Sequence, residues 1–96
     1  MTTTTYNGWT NYETWLVNLW ITNEQVSDSY WREVAHNVWK NREENEGAAY
    51  ILAEQLKYEL ENVPEGLEGL YLDLLNAALS EVNWHEIAKA FLEDIE

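Results

Sequence analysis

With 96 residues, 46% apolar and 14% aromatic, the chain has material for one domain with one core, which excludes a wholly disordered polypeptide. The absence of cysteine excludes a disulfide scaffold and a Cys-based zinc site. Eighteen acids against five bases give a formal net charge of −13, which repels phosphate backbones and anionic lipid and argues against direct nucleic-acid or membrane binding.

The charge is unevenly placed. Residues 1–42 hold four acids and three bases, net −1, whereas residues 43–96 hold fourteen acids and two bases, net −12. A surface of this kind attracts basic proteins; the plainer reading is that acid keeps a small aromatic-rich protein soluble. No apolar run approaches the roughly 20 residues of a membrane span. The N-terminus lacks the basic region and apolar stretch of a secretory signal, so the chain reads as cytoplasmic.

In chain order, residues 1–5 read as a flexible tail and 6–96 as a single acidic helical domain. Asn7 and Gly8 suit a turn. Thr10-Asn11-Tyr12-Glu13 fits a capping box with Thr10 as the N-cap of the first helix. Tyr12, Trp15, Leu16, Leu19 and Trp20 follow at three/four spacing, and Val17 and Ile21 widen the face, which predicts a central, mostly buried helix. Thr22 to Asp28 is polar and reads as a turn.

A second helix is predicted from about Ser29 to Glu44, with Tyr30-Trp31, Val34-Ala35 and Val38-Trp39 inward and a basic row of Arg32, His36 and Lys40. Gly47 marks a break. A third helix then runs to about Asn62 with Ala49, Leu52, Ala53, Leu56 and Leu60 inward, halted by Pro64. Leu67, Leu70, Tyr71, Leu74, Leu75, Ala78, Leu79 and Val82 form the clearest helical stripe. Asn83 and Glu86 cap a last helix carrying Ile87, Ala90, Phe91 and Ile95. The fold class expected is all-α, a compact single-domain bundle of about five helices.

Candidate sites are few. Trp84-His85-Glu86-Ile87-Ala88-Lys89 begins like the zinc-protease helix but has Lys89 where the second His is required, so neither metal nor cofactor is expected and His85 reads as a surface residue. His36 lies among cations with no nearby nucleophile, which reads as a solvated face; the functional alternative is a contact with an acidic partner or with another copy's acidic half. The clusters Glu43-Glu44-Asn45-Glu46 and Glu93-Asp94-Ile95-Glu96 lack the pattern of a calcium loop. Tyr6, Trp9, Tyr12, Trp15 and Trp20 have core spacing, and stacking on bases normally comes with a positive groove.

The segment from Tyr6 to Trp15, Tyr-Asn-Gly-Trp-Thr-Asn-Tyr-Glu-Thr-Trp, resembles small proteins of phage, plasmid and other mobile-element contexts that share a Trp-Thr-Asn-Tyr-Glu-Thr-Trp-like motif. Leu75 to Trp84 is similar to a second shared stretch. That family is functionally uncharacterised, so the resemblance implies a mobile-element accessory protein and supplies no catalytic residues.

The sequence therefore points to a non-enzymatic acidic binding protein whose target is a basic host protein involved in defence or nucleic-acid processing. Carboxylates three or four residues apart on a helix stand roughly 5–6 Å from one another, a spacing broadly similar to that of backbone phosphates, so a helical bundle can imitate DNA. The candidate residues are Glu43, Glu44, Glu46, Glu54, Glu61, Glu65, Glu68 and Asp73. The alternative is an interaction module that binds through aromatic or apolar surface, with Leu72 and Trp84 exposed, and that self-associates as a homo-oligomer. A carboxylate-dependent enzyme and adaptation to high salt are weaker readings.

Overall fold

The computed structural model describes residues 5–42, 47–62 and 64–95. Five helices carry them: α1 (Tyr12–Asn23), α2 (Gln25–Asn41), α3 (Ala48–Leu60), α4 (Leu70–Ser80) and α5 (Trp84–Glu93). The expected all-α bundle is the fold. Of the expected tail 1–5, all but Thr5 lies outside the described residues.

The chain enters through a tight reversal. Tyr6 and Trp9 exchange both backbone hydrogen bonds, at 2.7 and 2.8 Å, across Asn7 and Gly8. Both central residues have positive φ, 49° and 89°, a geometry that favours Asn-Gly. The first cap departs from expectation: Asn11, not Thr10, is the N-cap, and its Oδ1 accepts from the Thr14 N–H at 2.9 Å. Thr10 is left free for a partner elsewhere in the fold.

The expected turn over Thr22–Asp28 shrinks to one residue. Only Glu24 is extended, and its carboxylate accepts from the Ser27 N–H at 2.9 Å while its carbonyl accepts from the Asp28 N–H. α2 thus begins four residues earlier than predicted. Its first turn exposes Gln25 and Val26 and lies at the surface, so polarity there reports position rather than a turn. α3 ends at Leu60, ahead of Pro64 and two residues short of the expected end.

The core lies between α3 and α5, which pack most extensively, with α2 across them. Leu52, Ala53 and Leu56 meet Ile87, Ala88 and Phe91, joined by Trp31 and Ala35 of α2 and Ile21 of α1. Alanines at 35, 53 and 88 let the helices approach closely, while Trp31 and Trp84 fill the volume between them. Each fully buried Leu or Ile contributes roughly 1.5–3 kcal/mol.

Three expectations about burial are overturned. α1 is not central: only Thr14 and Ile21 are buried, and Trp20 is 69% exposed. Apolar side chains surround that helix, and a helix at the edge of the bundle can bury only one side. Trp84, expected exposed under the alternative reading, is buried. The stripe of α4 is split: Leu75 and Leu79 are half-buried and Val82 is buried as expected, but Leu70, Tyr71, Leu74 and Ala78 are exposed, and Leu72, assigned to the outside, is half-buried.

Candidate functional site

Sequence motifs first meet at the junction of α1 and α5. The Thr14 hydroxyl is fully buried; it donates to Asn11 Oδ1 at 2.6 Å and accepts from the Asn83 N–H at 2.8 Å. Asn11 Nδ2 donates to the Glu81 carbonyl at 2.6 Å, satisfying the end of α4. Asn83 caps α5 as expected, its Oδ1 accepting from the Glu86 N–H at 3.0 Å. The Glu86 carboxylate does not turn back within its own helix. It accepts from the Thr10 N–H at 3.0 Å, and Asn83 Nδ2 lies 3.3 Å from Thr10 Oγ1. The starts of α1 and α5 are therefore tied together, and Thr10, Asn11 and Thr14 of the motif are accounted for as a clasp. Among the described buried side chains no polar atom lacks a partner.

Of the aromatic residues beside this clasp, Trp9 is half-buried against the core, as its spacing predicts. Tyr6, Tyr12 and Trp15 stack on one another with ring centroids 4.9–5.7 Å apart, and Tyr6 and Tyr12 are exposed. The Tyr6 and Tyr12 rings meet edge to face at 83° and Trp15 is tilted against both, so the three rings pack on one another.

The basic row on α2 is partly used within the chain. Arg32 binds Asp28 at 3.0 Å and Asp94, beyond α5, at 3.2 Å; the hydrogen bonds it donates to Asp28 and then to Asp94 raise its pKa above the ordinary value. His36 and Lys40 are exposed, and His85 is exposed in the first turn of α5 as expected. A groove of about 420 Å³ between α2 and α3 has Val34, Val38 and Ile51 as its floor and Asn37, Asn41, Arg42 and Gln55 at its rim. The Arg42 guanidinium stacks 3.5 Å over the Trp39 ring. The described lining offers amides and a guanidinium, which bind polar groups, and no nucleophile–base pair. Among the described residues no group of three or more His, Asp or Glu side chains is placed to hold a metal ion, and no helix is long and apolar enough to cross a membrane.

One turn along α2 from Val34, the Tyr30 hydroxyl donates to the Glu59 carboxylate, 2.9 and 3.0 Å from its two oxygens, and Gln55 donates to Glu59 Oε2. The Glu59 hydrogen bond, aided by desolvation, raises the Tyr30 pKa above 10.0. The neutral phenol is the donor, so its contribution to stability is complete below the unfolded pKa near 10. It is lost as pH rises through the raised folded value. Tyr30→Phe is expected to lower the urea midpoint slightly and equally at pH 7 and pH 9. The difference from wild type should close above the phenol transition; a difference persisting there would show that packing, not the proton, carries it.

The predicted acidic residues divide in three. Glu43, Glu44 and Glu46 lie outside the described residues. Glu54 lies on the outer face of α3 with Tyr50, Lys57 and Tyr58, and Glu61, half-buried, is the C-cap of that helix. Glu65 and Glu68 occupy the exposed α3–α4 connection, and Asp73 the first turn of α4. Between Tyr58 and Ala88 there are seven acids and neither Lys nor Arg. Sequence reasoning misses the apolar surface within this acidic half: Leu70, Tyr71 and Leu74 on α4 are 67%, 69% and 57% exposed. A signal is present, because apolar residues cover more of α4 than one buried face can use.

A family model described as Family of unknown function (DUF7249) matches residues 2–95, all but the two terminal positions. The chain belongs to this family. No curated protein and no solved structure matches it. Both halves of the clasp, Thr10 to Thr14 and Glu81 to Glu86, fall inside the stretch that defines DUF7249, as does the exposed face of α4.

Proposed function

We propose that this protein is a non-enzymatic acidic binding protein that engages a basic protein through its C-terminal half. The observation that carries the reading is that, within a segment from Tyr58 to Ala88 free of Lys and Arg, the exposed carboxylates Glu65, Glu68, Asp73 and Glu81 accompany the exposed side chains Leu70, Tyr71 and Leu74. Such a surface favours a cationic, partly apolar partner over nucleic acid or lipid. The motif from Tyr6 to Trp15 supports a phage or mobile-element setting, in which the target is a basic host protein of defence or nucleic-acid processing. Mimicry of DNA is the sharpest form of the proposal, with Glu54, Glu61, Glu65, Glu68 and Asp73 in the role of phosphates.

The test is capture from host lysate by wild type and by a variant carrying Glu54→Lys, Glu61→Lys, Glu65→Lys and Glu68→Lys. The expected result is a basic nucleic-acid-binding protein retained by wild type, released by salt and by double-stranded DNA, and lost with the variant. Capture unaffected by the substitutions and by salt would reject the reading. The second reading, self-association through apolar surface, is favoured by the outward stripe of α4. It predicts a dimer by sedimentation, held together at high salt.

A further inference from the structure

Helix α4 carries two apolar faces where a helix at the edge of a bundle needs one. At about 100° per residue, Leu72, Leu75 and Leu79 project together; these are the half-buried set, and Leu79 packs on the core. Leu70, Leu74 and Ala78, with Ala77 and Tyr71 beside them, form the second face, and all five are exposed. This i, i+4, i+8 row is the ridge that helices interlock in packing against one another, and from Leu70 to Ala78 it spans about 12 Å, a little over two turns. Contiguous exposed apolar surface of this kind marks an interaction site.

Charge decides the occupant. Glu65 and Glu68 precede the N-terminal end of the face, Asp73 flanks it, and Glu81 follows Leu70 and Leu74 in register at its C-terminal end. A second copy would set these acids against their own kind, with Lys57 and Lys89 the nearest bases in sequence. A helix whose apolar stripe is edged with Lys and Arg would instead pair with them while covering the leucines.

We propose that the outer face of α4 is a docking site for a basic amphipathic helix of a partner protein, an inference that rests on the acidic-binding reading above and gives it a location. The probes are two synthetic peptides of about 15 residues and identical Leu/Lys composition, one with Leu at i, i+3, i+4 and i+7 and one scrambled. Wild type should bind the patterned peptide at least about tenfold tighter than the scrambled one. Leu70→Ser with Leu74→Ser should abolish that preference without moving the thermal midpoint, since both side chains are exposed in the free protein. Glu65→Lys, Glu68→Lys and Asp73→Lys together should weaken both peptides and flatten the salt dependence.

Equal binding of both peptides, indifferent to the serine substitutions, would overturn the docking site while leaving the acidic-binding reading intact. Binding of neither would overturn both. A wild-type dimer split by the serine substitutions would overturn the basic partner and install a second copy in its place.

Discussion

Replacing Thr14 with valine is expected to cost the fold about 2 kcal/mol, although the two side chains have nearly the same shape. The Thr14 hydroxyl has no exposure, donates to Asn11 Oδ1 and accepts the Asn83 N–H from α5. Valine leaves that N–H without its acceptor at a partly buried helix start, where removing one partner is costlier than never having had the pair. It also frees Asn11 Oδ1 from the hydroxyl, although the Thr14 backbone N–H still reaches it at 2.9 Å. Thr14→Ser should retain most of the stability, because it keeps the oxygen that joins α1 to α5. The measurement is the urea midpoint of the three proteins at constant m-value. A Thr14→Val midpoint equal to that of wild type would show that the clasp is geometric and contributes nothing to stability. If the loss is found, the motif shared by Thr10, Asn11 and Thr14 needs no partner to explain it, and the search for function moves to other surfaces.

Leu56→Ala is expected to destabilise by about 3 kcal/mol, a large part of the roughly 5–14 kcal/mol available to a domain of this length. Leu56 is fully buried where α3 packs on α5, and its loss leaves a cavity that Leu52, Ile87 and Phe91 can only partly close. The same chemical change at Leu74, more than half exposed on α4, should stay within about 0.5 kcal/mol of wild type. The pair works as one experiment. Comparable losses at the two positions would mean that α4 turns its main stripe inward, as its periodicity suggests, and the docking site proposed on that stripe would go with it.

The same contrast separates what periodicity can say from what it cannot. In α3 and α5 the aliphatic residues keep to one side, so their spacing alone assigns Leu52, Ala53, Leu56, Ile87 and Phe91 to the core, where they lie. In α1 and α4 apolar residues surround much of the helix, and pattern alone cannot choose the buried side. Periodicity puts Trp20 and Leu74 inside and Leu72 outside, and the fold reverses all three.

Caps divide in the same way. Asn83 is legible because its partner, the Glu86 N–H, lies three residues away in the chain. The clasp is not, because Thr10 meets Glu86, and Thr14 meets Asn83, across about seventy positions. Glu24 is hidden as a cap because its surroundings are polar, and a polar first turn in water has the composition of a loop.

The sequence by itself determined the fold class, the helices other than their ends, the α3–α5 core and the uneven charge, because each depends on neighbours a turn or two apart or on composition alone. Only the tertiary structure decided which side of α1 and α4 meets the core, which carboxylates are taken up by capping and ion pairs, and that leucines stand exposed among the acids of the C-terminal half. Those outcomes depend on which surfaces compete for the limited area that five short helices can bury, and that competition is settled by packing rather than by any local run of residues.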